Sequence, residues 1–136
     1  MNIETFLRDG LSYVGSSDAV RQTYYVYEAS EVFVVFSLSA TKQNSGNFNF
    51  VTKKSVEYIY KRFSGYEEIS SKDVFVRARR TKHVANTLAA LNILYVLVAQ
   101  GKARVQNIGS HSKLFFDMGP IPKRRRPRKK RVTKKR

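Results

Sequence analysis

The chain has 136 residues, enough for one sizeable hydrophobic core, and we expect one compact domain followed by a tail. It contains no cysteine, which excludes disulfides and thiolate metal sites and favours an intracellular location. The formal net charge is +16, and 11 of the 26 Lys and Arg residues lie between Lys123 and Arg136, where there is no acidic residue. The preceding residues are nearly balanced, with 15 basic and 10 acidic side chains.

The longest uninterrupted apolar run is Ile93–Ala99, far shorter than the roughly 20 residues that cross a bilayer. No signal-peptide pattern opens the chain. We therefore predict a soluble protein without a membrane span. It would be cytoplasmic, on the nucleoid or the ribosome, or nuclear if the source is a eukaryote.

The residue pattern in the N-terminal part of the chain predicts a β-hairpin. Residues 31–40 are β-branched and aromatic, and residues 47–51 alternate again after the turn sequence TKQNSG. We expect the first strand to be buried throughout on the face that carries Val32, Val34, Phe36 and Leu38. Its other face should be buried over the first half. For residues 16–23, a helical turn capped by Ser17 and the start of a strand both remain open.

Two helices are predicted next, each opened by a residue of capping type. Thr52 caps the first, which ends at Gly65. Ser70 and Asp73 have capping-box spacing at the start of the second, although Asp replaces the usual Glu or Gln. This second helix is short and ends by Arg79 or the next residue.

A third and longer helix is predicted from the capping residue Thr81 to Gly101, with a polar, basic start and an apolar end. Residues from Lys82 to Thr87 are predicted to contact a ligand, and those from Leu88 to Val98 to enter the core. The apolar stripe consists of Val84, Leu88, Leu91, Tyr95 and Val98.

A second hairpin is predicted from strands at 103–108 and 113–118, with a small polar tip between them. Gly119-Pro120-Ile121-Pro122 then stops regular structure. The basic tail that follows is predicted to be disordered and to attract polyanions by releasing their counterions. The tail could also be a nuclear-import signal, or a tether to acidic membrane.

The order of elements over residues 51–118 resembles the winged-helix family of nucleic-acid-binding domains. The resemblance depends on the caps, the Leu-rich third helix and its continuation into GKARV and KLFFDM. It implies an α+β winged helix-turn-helix fold, with three helices and a β-hairpin wing. Residues 1–50 would form an N-terminal extension with a β-hairpin, and residues 119–136 the disordered tail.

In that family the third helix enters the DNA major groove and the wing contacts the backbone or the minor groove. The resemblance matches Lys82, His83, Asn86 and Thr87 to the start of the reading helix, and Lys102, Arg104, Ser110, His111 and Lys113 to the wing. The residues themselves add a basic corner between the second and third helices: Arg77, Arg79, Arg80 and Lys82. The tail contributes Lys123, Arg124, Arg125, Arg126, Arg128, Lys129, Lys130, Arg131, Lys134, Lys135 and Arg136.

The favoured function is non-catalytic binding of double-stranded DNA, as a transcriptional regulator or a chromosome-associated protein, with no cofactor and no metal. A looser resemblance, to a winged-helix ribosomal protein of the small subunit, makes RNA binding the alternative. A protein-interaction adaptor is the third hypothesis, and a homodimer stays open. An enzyme ranks low because the sequence shows no phosphate loop, nucleophile elbow or metal-ligand spacing.

Several of these residues also have ordinary structural interpretations. An exposed helical asparagine such as Asn86 more often contacts solvent than a base. The basic corner is a solvated surface about as often as a phosphate site, although the tail favours binding. The aromatic residues between 24 and 63 are predicted to be mostly core, because a platform for stacking single strands needs several rings on one open face.

Overall fold

The computed structural model describes residues 10–19, 23–38, 46–106 and 114–119. The fold is α+β, as predicted. Within the described part, no helix is both long enough and apolar enough to cross a membrane. In chain order the elements are β1 (Ser12–Asp18), β2 (Thr23–Glu28), β3 (Val32–Leu38), β4 (Gly46–Thr52), α1 (Lys53–Phe63), α2 (Ser71–Ala78), α3 (Thr87–Ala99), β5 (Ala103–Val105) and β6 (Phe116–Met118).

The first four strands form an antiparallel sheet in the order β1-β2-β3-β4. The predicted hairpin is confirmed as β3 and β4, which pair from Val32 opposite Thr52 to Leu38 opposite Gly46. Of the two interpretations left open for residues 16–23, Ser16 to Asp18 are extended at the end of β1. Their partners lie in β2, where Ser17 faces Tyr24, so pairing with a tyrosine-rich strand compensates for the weak β-propensity of serine.

The first two helices begin at the predicted caps. The Thr52 hydroxyl accepts a hydrogen bond from the Ser55 amide at 3.2 Å. Ser70 and Asp73 bond reciprocally, each side chain accepting from the other backbone amide. These bonds satisfy helix-terminal amides that would otherwise lack partners, and the predicted capping box is confirmed.

The third helix begins at Thr87, so the predicted start at Thr81 was wrong. Two residues of capping type compete here, and Asn86 opens the helix, with its Oδ1 accepting from the Ala89 amide at 2.7 Å. The Thr81 hydroxyl instead closes a local turn by accepting from the His83 amide at 3.2 Å. The loop between them is non-helical and still buries Val84 in the core.

Helix α3 lies at the centre of the core. It contacts all four strands of the sheet as well as α1 and α2. The prediction that Leu88 enters the core was wrong, because this residue, in the first turn of α3, is 57% exposed. The residues of α3 that are buried are Ala90, Asn92, Ile93, Leu94, Tyr95, Val96 and Leu97, and they include both faces of the helix.

Strand β3 presents its more apolar face away from the helices, contrary to the prediction. Phe33 and Val35 are the β3 residues that join the core cluster with α3. On the other face Leu38 is 56% exposed, although Val34 is buried. The assignment of β3 residues to two alternating faces was correct. The core lies on the face of Phe33 and Val35, because α3 covers that face.

The small sheet of β5 and β6 is extended by the single residue Ile69. β5 and β6 are antiparallel, with Val105 opposite Phe116, and they are shorter than the predicted strands. Ile69, between α1 and α2, forms a bridge with Phe116, through backbone bonds of 3.0 and 2.8 Å. The predicted hairpin tip lies outside the described residues.

Candidate nucleic-acid interface

The basic corner predicted from the sequence lies at the end of α2 and in the loop that follows. Arg77, Arg79, Arg80 and Lys82 are all exposed. The Arg77 guanidinium lies 5.8 Å from the centre of the Tyr66 ring. No carboxylate in the described ranges forms an ion pair with any of the four side chains. Their charges are therefore available to an anionic ligand.

The loop before α3 is fixed to α1 through His83. Its half-buried ring stacks on Tyr58 at 4.5 Å, and its Nδ1 lies 3.1 Å from the Ser55 hydroxyl. The Thr52 hydroxyl lies 2.8 Å from the Ser55 hydroxyl, so Ser55 connects His83 to the cap of α1. The structure therefore gives His83 a structural role in addition to the predicted contact role.

Asn86 and Thr87 are exposed at the start of α3. The bond of 2.7 Å from the Ala89 amide occupies the Asn86 Oδ1, the atom that would accept from the N6 amine of adenine in a bidentate pair. Such a pair would therefore compete with the cap. Thr87 is the first helical residue, and its side chain is exposed.

A cleft of about 350 Å³ opens between β4, α1, the loop and α3. Lys82 supplies a positive charge at its wall, and the start of α3 adds the partial positive charge of a helix N-terminus. The lining contains amide, hydroxyl and imidazole groups and no carboxylate. Its residues are Asn49, Phe50, Val51, Thr52, Ser55, Lys82, His83, Ala85, Asn86, Leu88, Ala89, Asn92 and Ile93.

Lys102 and Arg104 lie beyond the opposite end of α3 from the basic corner. The helix runs from Thr87 to Ala99, which corresponds to a length of about 20 Å. Lys102 Nζ lies 5.1 Å from the centre of the Tyr60 ring, and Arg104 remains highly exposed although its Nε is 3.6 Å from Asp117. The structure thus separates the predicted cations into two surfaces.

The remaining predicted contacts lie outside the described residues. They are Ser110, His111 and Lys113 at the hairpin tip and the basic tail from 123 to 136. Within the described ranges, no three His, Cys, Asp or Glu side chains come together in a way that could hold a metal ion.

Sequence reasoning did not identify Asn49 and Ser55 as part of this site. Asn49 is a strand residue and Ser55 lies in the first turn of α1, and both line the cleft only because the chain folds back at residues 81–86. The available signal for Asn49 was a polar residue between the aromatic residues Phe48 and Phe50. Ser55 carried no comparable signal, since serine is common in the first turn of a helix.

Comparison of the chain with protein-family models, with curated proteins and with solved structures gave no match.

Proposed function

We propose that the protein binds nucleic acid without catalysing a reaction on it, and that its preferred ligand is double-stranded DNA. The observation that carries the proposal is the exposed group of Arg77, Arg79, Arg80 and Lys82 beside a cleft that has no carboxylate in its lining. Phosphate contacts supply most of the affinity in such complexes, and this surface offers cations and helix-terminal amides together.

The architecture of a winged helix-turn-helix is part of the same proposal. In its support, three helices precede the paired strands β5 and β6 in the part of the chain that the structure describes, and the extended residue Ile69 between α1 and α2 pairs with Phe116 in β6. In this arrangement β5 and β6 are the base of the wing, and α3 is the reading helix.

Burial of α3 limits how deeply it can enter a groove. Its residues are mostly buried from Ala90 onward, so the first turn is the part that can approach base edges. Thr87 offers a hydroxyl, and the exposed Leu88 side chain suits contact with a thymine methyl group. Selectivity would therefore be modest, and the phosphate contacts would dominate affinity.

The two basic surfaces, the basic corner and the pair Lys102 and Arg104, would contact two stretches of the DNA phosphate backbone. They lie beyond opposite ends of α3, whose length of about 20 Å exceeds the roughly 12 Å width of the B-DNA major groove. With the first turn of α3 at the groove, the basic corner can contact one strand while Lys102 and Arg104 contact the other. The tail adds attraction that does not depend on base sequence.

RNA binding in a ribosomal setting is the second candidate. The limited exposure of α3 favours it, because the minor groove of A-form RNA is wide and shallow and is read by shape and backbone contacts. The same cations would serve either ligand. The two candidates are separated by competition between a DNA duplex and a structured RNA at near-physiological salt.

The first test measures affinity against salt concentration for the full, nuclease-treated chain. Arg79→Ala combined with Arg80→Ala should reduce the slope of log affinity against log salt by about 0.9 for each phosphate that is no longer neutralised. Lys54→Ala with Lys61→Ala, which removes equal charge from exposed positions of α1, is the matched control and should change the slope less. Equal effects of the two pairs would contradict a localised interface.

The second test removes the tail. Deletion of residues 123–136 eliminates 11 cations and should flatten the salt dependence strongly. An unchanged slope would contradict the polyelectrolyte role of the tail. If the full chain bound neither DNA nor RNA, the proposal would fail and the protein-interaction adaptor would be favoured.

A further inference from the structure

The face of the four-stranded sheet that points away from α3 is lined by aromatic and aliphatic side chains. Strand register places Tyr13, Tyr27, Val34 and Phe50 in one row across the sheet. The next row consists of Ser16, Tyr25, Phe36 and Phe48. Because directly paired residues share a face, these rows define one surface, which we name the outer face.

The outer face exposes large apolar groups. Tyr13 is 57% exposed, Leu38 56%, and Phe48 and Phe50 are 47% exposed each. Single exposed apolar residues are ordinary, but a contiguous group of them marks an interaction surface. Leu38, Phe48 and Phe50 lie on the neighbouring strands β3 and β4, and Tyr13 lies on β1. The half-buried Tyr27 of β2 and the buried Val34 lie between these exposed groups.

The outer face carries no Lys or Arg side chain in either row. Among the residues that the structure describes, Asp18 is a charged residue at its border, and its carboxylate accepts a hydrogen bond from the Thr23 hydroxyl at 3.0 Å. Nucleic acid is attracted through its phosphates, so two rows without cations are poorly suited to it. An apolar protein surface is the better partner.

The rings also pack against each other. Tyr13 and Tyr27 are in edge contact with centroids 5.3 Å apart, and Phe36 and Phe48 are tilted at 4.7 Å. Ring contacts therefore join β1 to β2 and β3 to β4 on this face, as on the inner face of one sheet in a β-sandwich.

We propose that the outer face is the contact surface of a homodimer, in which the sheets of two copies pack face to face about a twofold axis. A second copy presents an identical uncharged apolar layer, and a twofold interface requires such self-complementarity. Most of the excess positive charge lies between Lys123 and Arg136, so repulsion between the nearly balanced folded parts is small.

The area of the outer face indicates how stable the dimer should be. Four strands of about seven residues make a face of roughly 450 Å² per copy, from the standard strand spacing and rise. Two copies would bury about 900 Å², at the low end of specific protein interfaces. We therefore expect a reversible dimer that dissociates on dilution.

Sedimentation equilibrium of the full chain tests this inference, after nuclease treatment and at high salt, so that residual nucleic acid cannot bridge two copies. The wild-type protein should show a monomer–dimer equilibrium. Leu38→Thr with Phe48→Thr removes apolar surface, keeps β-propensity and should weaken dimerisation by about tenfold or more. Val76→Thr, at a position of α2 that is 50% exposed, is the control and should leave the equilibrium unchanged.

A second measurement covers the case in which the double variant folds poorly. Because the chain contains no cysteine, a single Phe48→Cys substitution can be captured in a covalent dimer by a short bis-maleimide, with Val76→Cys as control. Capture of the first and not of the second supports the outer-face dimer. The proposal is overturned by a wild-type monomer at all concentrations or by equal capture of both variants.

Discussion

The backbone amide of Glu68 donates to Asp117 Oδ1 at 2.9 Å, which joins the connection between α1 and α2 to strand β6. The same oxygen accepts from Gln106 Nε2 at 2.9 Å. Glu68 has a φ of 55°, a left-handed conformation that is unfavourable for a residue with a side chain. The Asp117 carboxylate therefore stabilises a backbone conformation that the local sequence alone would not select.

Asp117→Ala should lower the free energy of unfolding by about 1–2 kcal/mol, because it removes the acceptor of two hydrogen bonds. Asp117→Asn keeps one carbonyl oxygen and should cost less. Urea denaturation followed by circular dichroism measures both. Asp18→Ala, which removes an exposed carboxylate with one side-chain bond, is the comparison. An equal loss of stability in that variant would show that the Asp117 hydrogen bonds stabilise the fold no more than the exposed bond of Asp18.

Gly15 allows α3 to approach the sheet. A Cβ at this position would lie 2.5 Å from the carbonyl oxygen of Ala99, which is too close for any real contact. Gly15→Ala should therefore shift either the strand or the helix and destabilise the fold by about 1–3 kcal/mol. Thermal unfolding checks this, with Ser16→Ala on the outer face as control. A Gly15→Ala protein as stable as wild type would mean that α3 does not pack this closely.

Asn86 offers a way to separate capping from recognition. Asn86→Ala should cost about 1 kcal/mol of stability through loss of the cap, whereas Asn86→Ser should be nearly neutral, since serine caps as well. Both variants lose the amide that could pair with adenine. Chemical denaturation and DNA binding are measured together. If the serine variant keeps full selectivity for a preferred site, Asn86 is a cap and does not read a base.

Tyr95 predicts a pH dependence. Burial, together with the neighbouring Tyr24, raises the pKa of Tyr95 above its ordinary value of about 10. The folded state thus holds the phenol proton more tightly than the unfolded chain. The resulting stabilisation is complete below about pH 10 and is lost as the pH rises through the higher folded pKa.

Tyr95→Phe keeps a ring to stack on Tyr24, where the centroids are 4.2 Å apart, and removes the titrating group. The variant should therefore lose stability less steeply above about pH 10 than the wild type. Urea midpoints measured at a series of alkaline pH values test this, with the exposed Tyr13→Phe as reference. A parallel decline in all three proteins would contradict the assignment.

The elements that local sequence specifies were predicted well. The caps at Thr52 and Ser70 depend on hydrogen bonds between residues close in the sequence. The β3–β4 hairpin depends on the alternation of its side chains and on one turn. Both features are local, so the sequence pattern is enough to predict them. The start of α3 was not predicted, because Thr81 and Asn86 are both good caps. The choice between them depends on tertiary contacts, such as the stacking of His83 on Tyr58.

The direction of burial in the sheet could not be read from β3 alone. Both of its faces are apolar near its start, and the more apolar one turned out to be the outer face. The candidate site was foreseen in its cations, which are visible as charge. The cleft was not foreseen, because Asn49 and His83 come to line the same cleft only through long-range folding.

Thr52 is at once the last residue of β4 and the cap of α1. The sheet and the helices therefore share a backbone junction as well as one core through α3. Neither part can lose its structure without exposing the apolar residues of the other. We expect cooperative unfolding, with strand and helix signals changing at the same denaturant concentration, and a chain cut near residue 50 to yield two fragments that cannot fold separately.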